Sequence, residues 1–278
     1  MSVPFKPDLN GRVAVITGGG GVLCSVFAES LAECGAAVAV LDLSLPAAET
    51  VAEKIRAHGG TARAYACNVL KKEELLSVRD SVRAELGGPD ILINGAGGNS
   101  PKATTDCEQY DPECAKSFFE LAPEGFGFVF DLNILGTFLP TQVFAEGMAA
   151  AGHGCIINIS SMNAFRPLTK IPAYSAAKAG VSNLTMWLAT HFANTGVRVN
   201  AIAPGFFVTK QNKDLLFDKD GVPTPRTHKI LAATPMGRFG RPEELVGALL
   251  FLCDDNASSF VNGVILPVDG GFSAYSGV

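Results

Sequence analysis

The chain is poor in charge: 18% of its 278 residues are Asp, Glu, Lys or Arg, against 47% hydrophobic. That excludes a disordered protein, since there is ample surface to bury, and the length suits one large domain or two small ones. A basic excess is missing too. Lys and Arg total 22 against 27 Asp and Glu, a formal net charge of −5, which argues against a broad polyanion-binding surface and so against a nucleic-acid partner. Paired cysteines are absent: Cys24, Cys34, Cys67, Cys107, Cys114, Cys155 and Cys253 form an odd set with no CxxC. Neither a disulfide framework nor a zinc knuckle is expected, and scattered single thiols fit a reducing cytosol. His58, His153, His191 and His228 do not cluster, so no metal is expected. Long uninterrupted apolar spans are also missing. Phe126–Ala151 is broken by Asp131, Asn133, Pro140, Gln142 and Glu146 and reads as a buried helix, not a membrane crossing. Met1 to Pro7 carries no secretory apolar core. The expectation is a soluble cytoplasmic protein without a membrane partner. No repeat or low-complexity linker divides it, which predicts a single domain over 1–278.

What is present is an alternation. Arg12–Thr17, Ala37–Asp42, Ala62–Cys67, Asp90–Asn94, Cys155–Ser160, Val197–Ala203 and Val264–Val268 read as strands, most of them nearly continuous apolar runs. Such runs suit strands buried on both faces. Segments between them, such as Val26–Cys34, Ala47–His58 and Lys72–Leu86, are long enough for crossover helices. The pattern predicts an α/β protein: one Rossmann-type doubly wound parallel sheet of about seven strands, with helices on both faces and right-handed crossovers. Two connections are longer than the rest, about 98–125 and 206–235. They are expected beyond the C-terminal ends of strands, where open α/β sheets bind ligands.

Thirty glycines are present, and their placement is informative. The first strand runs into Thr17-Gly18-Gly19-Gly20-Gly21-Val22-Leu23-Cys24 and then a helix. Glycines let the backbone turn sharply and approach a ligand, while a helix N-terminus offers free amides to a pyrophosphate. The GxGxxG pattern fails, because its last glycine position falls on Cys24, so this cluster also fits a plain strand-to-helix turn. Asp42 tips the balance. It ends the second strand 21 residues after Gly21, where a carboxylate can accept from both adenosine ribose hydroxyls and repel a 2′-phosphate. Leu43 and Ser44 follow, with no adjacent arginine to receive that phosphate, so NAD is favoured over NADP.

Tyr174 and Lys178 stand four apart in a stretch whose Ala177, Val181, Leu184, Leu188 and Phe192 form an apolar helical stripe. They therefore share a helix face. A nearby ammonium lowers a tyrosine pKa toward a usable acid/base. Alone, the pair could be a surface coincidence. It is accompanied by Ser160-Ser161 at a strand end, with Ser161 13 residues before Tyr174, by Asn94-Gly95-Ala96-Gly97 after another strand, and by Asn133 within Leu132–Phe144.

This assembly resembles the short-chain dehydrogenase/reductase family. The likeness runs from Asn10-Gly11-Arg12-Val13 to Val268-Asp269-Gly270-Gly271 and includes Pro204-Gly205 with Thr209 and Pro235-Met236-Gly237-Arg238-Phe239-Gly240. The resemblance implies that Tyr174 is the catalytic acid/base, that Lys178 lowers its pKa and holds the nicotinamide ribose, that Ser161 bonds the reacting oxygen, and that Asn133 supports a proton relay. It implies cofactor contacts from Gly18, Gly20, Gly21, Val22, Leu23, Asp42, Asn68, Val69, Asn94, Ala96, Gly97, Pro204, Gly205, Phe207 and Thr209. Three positions depart from the family pattern. Val22 and Cys24 replace the last two glycines of TGxxxGxG, Gly95 replaces the second Asn of NNAG, and Asn68 replaces the usual acid after the third strand. These put loop geometry and affinity in question and leave hydride transfer standing. Cys24 is expected to be a buried, inert thiol.

For the substrate, the run from Gly97 to Asp106, Ser161 to Phe165, Pro167 to Tyr174 and Pro204 to Phe207, together with TGGGGVL, resembles the D-mannonate oxidoreductase (fructuronate reductase) branch of that family. That implies NAD(H)-linked interconversion of a sugar-acid alcohol and its ketone. A sugar acid needs cations and amides around it. Asn99, Lys102, Asn163, Lys210 and Asn212 are the substrate-contact candidates, with Arg166, Lys170 and Gln211 on the same segments. Alternatives stay open: a gluconate-type or polyol dehydrogenase, a 3-oxoacyl-thioester reductase, or a cofactor-binding sensor without turnover. The resemblance also implies a homotetramer, for which the apolar stripe of the Tyr174 helix is suited.

Overall fold

The structure is a computed structural model describing residues 3–208 and 216–277. Its strands are β1 (Val13–Thr17), β2 (Ala37–Asp42), β3 (Ala62–Ala66), β4 (Ile91–Asn94), β5 (Gly154–Ile159), β6 (Val197–Pro204) and β7 (Ile265–Val268). They form one sheet in the order β3-β2-β1-β4-β5-β6-β7, and every pairing is parallel. This is the expected single Rossmann-type sheet, and the apolar runs explain it. In β1, Ala14 and Ile16 point to one face and Val13 and Val15 to the other, and all four are buried.

Each face is covered by helices. Against the first lie α1 (Val22–Glu33), α2 (Leu45–Ala57) and, further along, α8 (Val246–Cys253), contributing Phe27, Leu31, Ile55 and Leu249. Against the second lie α3 (Lys72–Glu85), α5 (Gly136–Ala151) and α6 (Pro172–His191), contributing Leu75, Val82, Phe144, Met148 and Leu188. The edge strands β3 and β7 are only partly buried, because one neighbour is missing there.

The greasy segment is a continuous helical run: α4 (Pro123–Phe130), a π-helical turn (Asp131–Leu135), then α5. By length and composition it is long and apolar enough to cross a membrane, yet half of its most apolar window is buried inside the domain, and buried Asn133, Thr137 and Thr141 face inward. The stripe on α6 needs a correction. Ala177, Val181 and Leu188 are buried within the protomer itself, and the partly buried Leu184 and Phe192 pack against the cluster that holds Leu188, so that stripe is spent mainly on the fold of the protomer.

The cysteine reading also needs a correction. Cys107 and Cys114, inside the first long connection, form a disulfide with Cα atoms 6.2 Å apart. A turn in which Cys114 N–H donates to the Asp111 carbonyl at 3.0 Å folds the segment back and brings the two within bonding reach. The other five cysteines are free and buried. The remainder of this connection carries short 3₁₀ turns at Pro101–Ala103 and Phe118–Glu120, and the second connection carries α7 (Pro225–Ala232).

Candidate active site

Strand order reverses between β1 and β4, and a cleft of about 490 Å³ opens beyond their C-terminal ends. Here the crossovers leave the sheet in opposite directions, so a ligand can lie against the strand ends. Thr17 closes β1 and joins the two halves: its hydroxyl accepts from Gly95 N–H at 3.1 Å and Ala96 N–H at 3.3 Å.

The glycine turn crosses the floor of this cleft. Gly18 has φ +63°, and a Cβ there would come within 2.9 Å of the Ala96 backbone, so only glycine fits. Gly21 caps α1 without a side-chain hydrogen bond, and the helix has no acidic residue in its first turn. Its amides are thus oriented toward the cleft and suited to an anion such as a pyrophosphate. Asp42 lines the same cleft. One carboxylate oxygen accepts from Gly20 N–H at 3.0 Å and the other from Ser44 N–H at 2.9 Å, which fixes the group at the edge where an adenosine ribose would lie. Gly-rich turn, free helix terminus and fixed carboxylate together fit a dinucleotide.

Across the cleft, α6 presents Tyr174 and Lys178 from one face, as their spacing predicts. Lys178 is buried; its Nζ donates to the Ile159 carbonyl at 2.7 Å and lies 5.6 Å from the Tyr174 ring centroid. Burial pushes its pKa down to about 8. Burial also raises Tyr174, opposed by a hydrogen bond with Ser161. Spacing alone predicts that the ammonium lowers Tyr174; in this geometry desolvation dominates and Ser161 supplies the opposing effect. Ser160 is engaged elsewhere, its hydroxyl 2.7 Å from that of Ser182, which leaves Ser161 as the serine facing the tyrosine.

Asn133 sits in the π turn. Its Nδ2 donates to the carbonyls of Gly98 at 2.7 Å and Val129 at 2.8 Å, and its Oδ1 accepts from Gly98 N–H at 3.3 Å. A π turn shifts the helix register and frees backbone groups, a device common at functional sites. Here it ties α4–α5 to the loop after β4. A Cβ on Gly97 would come within 2.8 Å of Asn133 Oδ1 and 3.2 Å of Lys178 Nζ, so Gly97 lets these groups converge.

Of the remaining cofactor candidates, Gly21, Val22, Leu23, Ala96, Gly97, Pro204, Gly205 and Phe207 line the cleft. Gly20 acts through Asp42. Asn94 lies within the sheet, where its Nδ2 donates to Thr141 Oγ1 at 2.9 Å and Asn158 Oδ1 at 2.8 Å. Asn68 and Val69 stand beyond β3 outside the cleft lining; Asn68 Oδ1 accepts from Leu70 N–H at 3.0 Å, and Val69 is buried. Of the substrate candidates, Asn99 lines the cleft. Lys102 lies on the adjoining loop outside it. Asn163 is buried, with an Oδ1 that has no hydrogen-bond partner among the described residues. Thr209, Lys210, Gln211 and Asn212 lie outside the described residues.

Two departures from the family pattern prove to be one. A Cβ on Gly95 would overlap the Cys24 sulfur; the thiol fills the space that a side chain at 95 would need. Cys24 is buried and its pKa is pushed up to about 12, so it is an inert packing group, as expected. Sequence reasoning missed Phe206, which lines the cleft, and the Ile159 carbonyl that holds Lys178. A strand-end carbonyl has no sequence signature.

Known proteins share this arrangement of sequence and fold. A family profile described as enoyl-(acyl carrier protein) reductase matches residues 23–273. An uncharacterized oxidoreductase of Haemophilus influenzae is 58% identical over 281 residues, spanning 100% of this chain and 99% of the relative. A solved structure from Haemophilus influenza, provisionally named a D-mannonate oxidoreductase and holding bound NAD, is similar at 58% identity and TM-score 0.94, covering 98% of both chains. A gluconate 5-dehydrogenase from Burkholderia cenocepacia, solved with NADP and tartrate, is 33% identical with TM-score 0.82 over 96% of both chains.

Proposed function

The chain belongs to the short-chain dehydrogenase/reductase family and is an NAD-dependent oxidoreductase acting on alcohol groups, and on that premise we propose that it interconverts D-mannonate and D-fructuronate. The observation that carries the substrate reading is the 58% identity, over 98% of the chain, with an NAD-bound protein named for that reaction. The fixed carboxylate of Asp42, which suits a ribose and opposes a 2′-phosphate, supports the cofactor side.

In this reading Gly18, Gly20, Gly21, Val22 and Leu23 hold the pyrophosphate, Asp42 the adenosine ribose, and Ala96, Gly97, Pro204, Gly205 and Phe207 the remainder of the dinucleotide. Bound NAD supplies the hydride acceptor. Ser161 hydrogen-bonds the oxygen of the reacting alcohol and positions it against Tyr174. As phenolate, Tyr174 takes the hydroxyl proton during oxidation; as phenol it returns one during reduction. Lys178 holds the nicotinamide ribose, and Asn133 fixes the Gly98 backbone and the π turn beside it. Asn99 and Asn163 are the substrate contacts proposed from the described residues. The long connections are the substrate loops of a single domain, and the compartment is the cytoplasm.

The proposal extends to assembly as a homotetramer. Phe128, Leu135 and Phe138 on the α4–α5 run, with Met186 and Trp187 on neighbouring α6, are exposed, Trp187 to 58%. Such apolar exposure on adjacent helices suits burial against a second copy; light scattering on the eluting protein checks it, and a monomer would refute it.

The deciding experiment assays D-fructuronate, 5-keto-gluconate and a β-ketoacyl thioester with NADH and NADPH, and a polyol with NAD⁺ and NADP⁺. Preference for fructuronate with NADH is expected. No turnover of any uronate refutes the substrate, and activity on another member of the panel then identifies the class. Tyr174→Phe should bind NADH normally and lose turnover by about 10²–10⁴-fold; full activity would sink the proposed acid/base role.

A further inference from the structure

A second cavity, of about 330 Å³, adjoins the cleft, and Phe206 lines both. Its wall carries Lys170, from the loop that leads into α6, and Arg226 and Lys229, from α7. We propose that Lys170, Arg226 and Lys229 form the subsite that receives the substrate carboxylate. This inference rests on the sugar-acid reading above.

Charge balance carries it first. The cavity wall holds three cations to one carboxylate, Glu108. Glu108 is bound by Lys229 alone, whose Nζ donates to its two oxygens at 2.9 and 3.0 Å. Lys170 and Arg226 have no ion-pair partner among the described residues, so their charge remains available. The cavity already favours an anion: the Glu108 carboxyl is held below its usual range, first by Lys229 and then by Lys170 and Arg226.

Backbone conformation supports it independently. Lys170 is the one non-glycine residue with positive φ, +71°, among the described residues. A side chain other than glycine, Asn or Asp rarely adopts that conformation, and it persists where surrounding contacts impose it. Thr105 N–H donates to the Lys170 carbonyl at 2.9 Å, locking the loop four residues before Tyr174. Phe206 is common to both walls, so in this proposal a substrate several carbons long, with its reacting oxygen at Ser161 and Tyr174, passes that ring and presents a terminal carboxylate to these cations. Arg226 offers a planar fork that matches a carboxylate.

The test uses the full-length protein and the double variant Arg226→Gln/Lys229→Gln, with Lys170→Gln as an independent single. NADH affinity, measured by fluorescence, monitors folding and should be unchanged. The double variant should raise KM for D-fructuronate about ten-fold or more, the effect of losing a charge-assisted hydrogen bond, while kcat stays within a few-fold. Calorimetry on the NADH-saturated protein supplies a readout free of turnover, since reduced cofactor cannot accept a hydride from an alcohol: D-gluconate binding should weaken by the same factor, and neutral D-sorbitol should not discriminate between the proteins. If the variants retain wild-type KM and gluconate affinity, the subsite is refuted while the sugar-acid reading stands. If wild-type protein fails to reduce fructuronate yet loses gluconate in the variants, that substrate is refuted and the subsite is upheld. A wild-type protein that neither binds gluconate nor turns over any uronate overturns both.

Discussion

Gly95→Ala is the most informative single change to the cofactor cleft. Gly95 follows β4 and packs against Thr17 and Cys24. A Cβ there would overlap the Cys24 sulfur and stand 2.9 Å from the Thr17 carbonyl oxygen, well inside the normal carbon contact of about 3.5–4 Å. The thiol cannot simply turn away, because Cys24 is only 5% exposed. Overpacking of this kind typically costs about 1–3 kcal/mol, and the backbone oxygen of β1 adds resistance, so a loss of about 2–3 kcal/mol is expected. Cys24→Ala alone removes one buried atom and should cost about 1 kcal/mol. The double variant should recover about 1–2 kcal/mol relative to additivity, since the sulfur no longer competes for the space. The Thr17 contact remains, so recovery is incomplete. Urea unfolding of the four proteins gives the coupling directly, and NADH titration shows whether the turn beside the pyrophosphate recovers with it. Additivity within about 0.5 kcal/mol would refute the claim that the thiol and the missing side chain share one volume.

Two further predictions concern charge. Asp42→Ala removes the ribose acceptor and the repulsion of a 2′-phosphate, so NADH affinity should fall about ten-fold or more while NADPH gains relative to it; unchanged selectivity in paired titrations would remove Asp42 from the cofactor reading. Lys178 titrates near 8 in the folded protein against an ordinary value of 10.5. Between those values the unfolded protein binds more protons, so this group makes stability rise with pH from about 8 to 10.5. Tyr174 is shifted upward and works in the opposite sense above about 10. Lys178→Met should abolish the rise between pH 8 and 10 in unfolding midpoint; a rise that survives the substitution would assign it to other groups.

The apolar runs and glycine positions determined the sheet. A strand buried on both faces needs apolar side chains at successive positions, so Val13–Thr17 and Ile91–Asn94 are readable locally. Tyr174 and Lys178 are readable for the same reason, since a spacing of four on a helix fixes a shared face. The sequence also marked Cys24 and Gly95 as separate departures from a family pattern. Only the packed structure joined them, because the contact spans three crossovers, through α1, α2 and α3, and depends on where a sulfur points. The same holds for the Cys107–Cys114 disulfide, for the π turn that aims Asn133 at Gly98, and for the meeting of Lys170 with Arg226 and Lys229. It holds again for the titration of Tyr174, where spacing announces a helpful ammonium and burial outweighs it. Periodicity encodes which face a residue shares with its near neighbours; desolvation, overlap and charge balance depend on residues brought close by folding, and these were decided in the tertiary structure alone.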